Sequence, residues 1–196
     1  MTRRMFSSES VTCGHPDKVC DAISDAIVDA CLAVDQNARV AVETCIKGMP
    51  EKSIIILAGE VSLEGETPDY AKVARQAAAD IGYTSHDIGM DATNDSLCDV
   101  LVYVTTQSTF INQGVDRDNI ESQGAGDQGL MFGYACDETE AFDDLKGRYF
   151  PLAAALSQRL SRRLKTVREE NILPWARPDG KTQVTVAYAE DGSVVG

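Results

Sequence analysis

The sequence predicts an α+β fold, and three observations carry that prediction. Helical and strand periodicities are mixed along the chain without strict strand–helix–strand alternation. Two neighbouring stretches, 39–47 and 53–61, read as strands separated by a short turn, the pattern of an antiparallel hairpin. No G-x-x-x-x-G-K-[ST] stretch and no internal repeat argues for a P-loop or repeat architecture. With 196 residues and 43% hydrophobic content the chain has enough apolar surface for a packed core.

Taken in order, the first element is a helix that opens at Pro16, where a missing N–H costs nothing. Apolar residues at 19, 22, 23, 26, 27, 30 and 34 give it one face, and Asp17, Asp21, Asp25 and Asp29 form a row on another. The ordinary reading of that row is a solvated surface. In 39–47, Val40, Val42, Thr44 and Ile46 alternate with a second set that includes Glu43, and "SIIILAGEV" reads as a buried strand ending near Glu60. A second helix is expected from about 69 to 81, with Val73, Ala77, Ala78 and Ile81 inward, and "LCDVLVYVTTQ" reads as another buried strand. The stretch 107–130, rich in Gly, Asn, Gln and Asp, has the character of a functional loop. A third helix is expected from about 151 to 170, with Leu156, Leu160, Leu164 and Val167 on one face and five cations elsewhere. "TQVTVAY" then alternates as a strand before a turn at Asp191-Gly192. Little chain follows that turn, so the reading is of a domain cut partway.

The formal charge of −13, without a basic cluster carrying interleaved aromatics, argues against nucleic acid as a partner. It does not argue against a nucleotide, because local cations, backbone N–H groups and metal ions set the field inside a pocket. Six cysteines with no C-x-x-C pair read as reduced thiols of an intracellular protein, and an apolar run such as "IIILA", which no other exceeds in length, is far too short for a bilayer span. A soluble, cytoplasmic protein with no membrane contact is the expectation.

Several residues carry chemistry. A helix opening at His15-Pro16 directs free N–H groups and the positive dipole end toward whatever lies beside His15 and Asp17, which outlines a phosphate site. His15 has the donors to stabilise an oxygen gaining negative charge, and Asp17 suits a Mg²⁺ bridging phosphates. On spacing alone such a histidine is more often a capping or packing residue than a ligand. Glu43 and Glu60 lie on strands expected to pair, and a carboxylate on a strand of Ile, Leu and Ala either faces water or binds a cation or ammonium group. Asp127, within "GAGDQG", sits where glycines allow close backbone approach, and by itself is a turn aspartate.

Read together, "SESVTCGHPDK", "ARVAVET", "LAGEV", "QSTFINQGVD", "GAGDQGLMFGYACDET" and "LPWARPDGKTQVTV" resemble, in order, the blocks of methionine adenosyltransferases, also called S-adenosylmethionine synthetases. The resemblance covers nearly the whole chain. It implies a transferase in which the methionine sulfur attacks the 5′ carbon of ATP, giving S-adenosylmethionine and triphosphate that is hydrolysed to pyrophosphate and phosphate. By motif, His15 corresponds to the residue at the leaving oxygen and triphosphate and Asp17 to a Mg²⁺ ligand. Glu43 corresponds to the K⁺-associated glutamate. Glu60, Gln107 and Asp127 correspond to methionine contacts, and Asp179 and Lys181 to the nucleotide-binding pair, with Lys181 on phosphate. The resemblance further implies similar α+β domains related by pseudo-threefold symmetry, face-to-face dimers or dimers of dimers, and sites between subunits. It divides the sequence into an N-terminal domain (1–106), a mobile active-site loop (107–118) and the first part of a central domain (119–196).

The departures are specific. Nothing matches the family's later "TGRK"-type and "GGGAFSGKD"-type segments, which supply further phosphate-binding cations and a metal aspartate. The turn through "GMPEKS" is longer than the family's usual form, and Thr109-Phe110 stands where Pro-Asp is common. The expectation is a chain with little or no activity by itself. The alternative is a catalytically incomplete short form that binds or regulates a complementary synthetase subunit or C-terminal segment.

Overall fold

In the computed structural model, residues 4–106 and 128–195 are described. They form strands β1 (Arg4–Val11), β2 (Arg39–Gly48), β3 (Ser53–Ser62), β4 (Thr84–Ser85), β5 (Met90–Asp91), β6 (Cys98–Thr106) and β7 (Lys181–Tyr188), with helices α1 (Pro16–Val34), α2 (Tyr70–Ile81) and α3 (Leu152–Glu169). The architecture is mixed α and β, as the periodicities predict. Two compact units result, Met1–Lys18 with Phe132–Gly196, and Val19–Met131. The 107–118 segment assigned to a mobile loop lies outside the described residues.

In the unit Val19–Met131, β2, β3 and β6 form one sheet in that order. β2 and β3 are the expected hairpin, antiparallel from Arg39↔Ser62 to Gly48↔Ser53, and β3 pairs in parallel with β6. The long turn therefore leaves the hairpin in register. Val19, Ile23, Ile27 and Cys31 of α1, spaced four apart, are fully buried, whereas Asp21, Asp25 and Asp29 on its other face are exposed. They share a core with Ile55, Leu57 and Val61 of β3 and with Tyr70, Ala74 and Ala78 of α2. Asp69 caps α2 by accepting the Lys72 N–H at 3.0 Å. Arg75 holds the connection into β6, donating to the carbonyls of Ala92 (3.1 Å) and Cys98 (2.7 Å).

One expectation is corrected in this unit. The stretch 98–106 does not form a buried strand throughout, since Leu101, Val102 and Tyr103 are 36%, 42% and 63% exposed. Among the described residues β6 pairs with β3 alone and is an edge strand: Leu101 and Tyr103 lie on the sheet face turned away from the helices, and Val102, on the helix side, is exposed at that edge.

In the other unit, β7 pairs antiparallel with β1, a strand the sequence reading passed over, from Arg4↔Tyr188 to Val11↔Lys181. Helix α3 packs on this ribbon. Its buried face is not the leucine row expected: Leu152, Ala153, Ala155, Ser157, Ser161 and Val167 are buried and Leu160 is exposed. Small residues bring α3 close enough for Ser161 to bond Ser10 (2.9 Å) and for the Thr182 hydroxyl to donate to the Ser157 carbonyl (2.8 Å). Leu145, Leu152, Ala153, Ala155 and Val186 make the core beneath. A chain reversal after Asp191 brings Val194 back beside Tyr188, as the turn predicts.

Candidate active site

The His15 and Lys181 motifs, 166 residues apart, are held side by side by backbone bonds. The last rung of the β1–β7 ribbon pairs Val11 with Lys181, and beyond it the two chains continue together. Thr12 N–H donates to the Gly180 carbonyl at 2.9 Å, and Gly14 N–H to the Pro178 carbonyl at 3.2 Å. The buried Thr12 hydroxyl also donates to Pro178, at 2.6 Å. Gly14 is indispensable to this seam, because a Cβ there would overlap the Pro178 backbone. Asp179 is thus clamped between two bonded residues. Sequence reasoning missed Thr12 and Gly14, whose roles depend on a partner strand far along the chain.

At the end of this seam the chain turns into α1. His15 N–H donates to the Thr12 carbonyl at 3.1 Å, and the His15 Nδ1 accepts the Asp17 N–H at 3.3 Å. His15 therefore does cap the helix. Because Nδ1 accepts, the neutral ring carries its proton on Nε2, which leaves Nε2–H as the donor. The imidazole is 25% exposed and the Asp17 side chain 91% exposed, so both can meet a ligand from solvent. Should His15 become protonated, Asp17 lies 3.9 Å away as its counter-charge. Lys181 forms an ion pair with Glu9 at 3.3 Å, with both side chains more than half exposed. Such a pair contributes at most about 1 kcal/mol, so a polyanion displaces Glu9 readily.

Glu43 and Glu60 belong to the Val19–Met131 unit. Glu43 lies opposite Ala58, and Glu60 opposite Ala41, so both carboxylates occupy the sheet face turned away from the helices. They are diagonal neighbours, a relation that places Cα atoms about 7–8 Å apart in antiparallel sheets. Gly59, with φ 152°, lets the strand pass close to the Ala41 carbonyl just before Glu60. The same face carries Leu101 and Tyr103. Gln107 and Asp127 lie outside the described residues. Among the described residues, no three His, Cys, Asp or Glu side chains converge as a metal cluster.

Two family models match this chain, the S-adenosylmethionine synthetase N-terminal domain over residues 3–109 and the S-adenosylmethionine synthetase central domain over residues 122–195. The chain belongs to the S-adenosylmethionine synthetase family. An S-adenosylmethionine synthase of Corynebacterium kroppenstedtii is 47% identical over 205 residues, an alignment that covers all of this chain and 48% of the relative. The chain spans about half the length of that curated relative. Among the described residues, the fold brings the His15-Asp17 motif beside Asp179-Lys181 and sets Glu43 and Glu60 on one sheet face. The His15-Asp17 and Asp179-Lys181 motifs lie within different family models, and the β1–β7 ribbon joins them in one unit.

Proposed function

We propose that this chain supplies the ATP-side half of a methionine adenosyltransferase site. The clamp of residues 12–15 against 178–180 is the observation that carries the reading. It sets a helix N-terminus, an Nε2–H donor, an exposed carboxylate and an exposed ammonium around one seam. The reaction is displacement at the ribose 5′ carbon by the methionine sulfur. In it, His15 Nε2–H donates to the departing oxygen, and Lys181, released from Glu9, holds the triphosphate. Asp179 orients the nucleotide.

Asp17 fits a Mg²⁺ ion, since a single solvent-exposed carboxylate beside a phosphate site is the donor set that ion takes, with phosphate and water filling its other positions. Bound there, the ion would neutralise charge on the phosphate oxygens. Glu43 fits K⁺, Glu60 fits the ammonium group of methionine, and Gln107 and Asp127 are further methionine contacts. The open sheet face, apolar at Leu101 and Tyr103 and carrying both glutamates, supports face-to-face pairing of two copies with sites between them. Pseudo-threefold domains divided near 1–106 and 119–196, and a cytoplasmic location, complete the reading.

The test is nucleotide binding followed by turnover. ATP with Mg²⁺ should bind the chain, and Lys181→Met and His15→Ala should each weaken that binding at least fivefold with an unchanged circular dichroism spectrum. Unaltered affinity in both variants overturns the assignment. With ATP, methionine, Mg²⁺ and K⁺, a longer synthetase containing this segment should turn over. The 196-residue chain should be slower by two orders of magnitude or more, because losing even one preorganised donor costs about 100-fold.

A further inference from the structure

On the α3 side of the β1–β7 ribbon lies a cavity of about 400 Å³ formed wholly within the unit Met1–Lys18 with Phe132–Gly196. Its floor is the end of β1 and the following turn, Ser10 to Cys13, and its walls are Lys18 and the α3 residues Gln158, Ser161, Arg162 and Lys165. Asp179 and Lys181 are not among its lining residues. We propose that this cavity, which shares Thr12 and Cys13 with the seam but none of its charged groups, is a second anion site that binds a compact inorganic oligophosphate of the size of pyrophosphate.

Charge is the first argument. The chain carries a formal charge of −13, yet three cations and no carboxylate line this cavity. Lys18 and Arg162 have no ion-pair partner among the described residues, and Lys165 has one, Glu169 at 3.4 Å outside the lining. Cations that approach one another without intervening acids repel, and an anion between them relieves that repulsion.

Donor accounting is the second. The hydroxyls are already engaged, Thr12 with the Pro178 carbonyl, Ser161 with the Gln158 carbonyl, and Ser10 with Ser161. The donors left for a ligand are the two ammonium groups, the Arg162 guanidinium and the Gln158 amide, all acting on oxygen and most of them charged. Val11 and Cys13 are the cavity's apolar side chains, and it has no aromatic ring. A nucleobase or an acyl chain would find nothing to stack on, whereas a bare oligophosphate matches the whole donor set.

The reading does not depend on catalysis at the seam, and the test separates the two. Pyrophosphate titrated at low salt into the Lys181→Met variant should still bind. Adding Arg162→Gln and Lys165→Gln to that background should weaken binding at least tenfold. Retention of the original affinity, or no binding in the Lys181→Met background, overturns the second site. A further measurement uses the unmodified sequence. Cys13 lines the cavity, while Cys45 is exposed on β2 of the other unit. Pyrophosphate should slow alkylation of Cys13 at least fivefold and leave Cys45 unchanged, by peptide mass spectrometry. Equal rates at Cys13, or equal protection by sodium chloride at matched ionic strength, would overturn it.

Discussion

Gly14 has no room for a side chain, and the placement of His15 follows from that. In Gly14→Ala the added methyl must push residues 12–15 away from Pro178 or force Pro178 to move. Overpacking of this kind costs about 1–3 kcal/mol, so thermal denaturation should show a lower Tm, and ATP affinity should fall because the seam opens beside His15. Tyr188 gives a second test at this scale. Its hydroxyl donates to Glu138 at 2.8 Å, and Glu138 also accepts the first N–H of α3, from Leu152, at 2.9 Å. Burial, and then the Glu138 carboxylate as acceptor and as charge, push the Tyr188 phenol up to about 12 from an ordinary 10.0. A phenol raised in the folded state stabilises fully below about pH 10, and that contribution disappears as pH climbs through about 12. Tyr188→Phe should therefore lower stability near neutral pH by about 1.5–3 kcal/mol, the range for a hydrogen bond to a charged group, and remove that part of the alkaline loss. Chemical denaturation of both proteins at pH 8 and pH 11 would check it, a constant difference between them counting against the argument.

At the scale of elements, α1 is the simplest case. Ile27 is fully buried between α1 and the β3 strand core, so Ile27→Ala should cost about 2–5 kcal/mol by leaving a cavity, measurable as a shift in the urea midpoint. Turn 140–149 gives an acid-side counterpart. Glu140 accepts from Gly147 N–H at 2.9 Å and from Tyr149 N–H at 3.1 Å, and these bonds hold its carboxyl below the usual range. A depressed carboxyl stabilises above its ordinary value of 4.5 and loses that effect as pH falls through the folded one. Protection of the Gly147 and Tyr149 amides, measured against the intrinsic exchange rate at each pH, should thus fall in the native chain as pH drops through the folded value, and should already be low near neutral pH in Glu140→Ala.

Elements whose stability is local were legible in the sequence. The four-residue stripe of α1 and the alternation of β2 are patterns that a helix or strand imposes on its own residues. β1 was not legible, because "RMFSSESV" has weak alternation and becomes a strand through β7. The buried face of α3 misled for a related reason: a helix lying close to a strand ribbon needs Ala and Ser at the contact, not its largest side chains. For the candidate site, the chemistry-bearing residues stood out by motif. Their support did not, since Thr12, Gly14 and the Glu9 partner of Lys181 acquire roles only through pairing across the chain.

At the scale of the whole molecule, the described residues gather into two cores, one built from α1, α2 and the three-stranded sheet, the other from α3 and the β1–β7 ribbon. Each should respond to its own mutations. Scanning calorimetry on Ile27→Ala should shift one part of the transition and on Val186→Ala another. A single peak displaced identically by both would mean that the cores unfold as one cooperative body. The ribbon has a further consequence during synthesis. Arg4 pairs with Tyr188, so the first strand leaves the ribosome long before its partner exists. At about 5–20 residues per second, that wait is on the order of ten seconds or more. Through it the nascent segment must remain single without sticking to other chains. Its composition suits that task, because Ser7, Ser8, Glu9 and Ser10 keep half of the strand hydrophilic while the α1 unit can already collapse behind it.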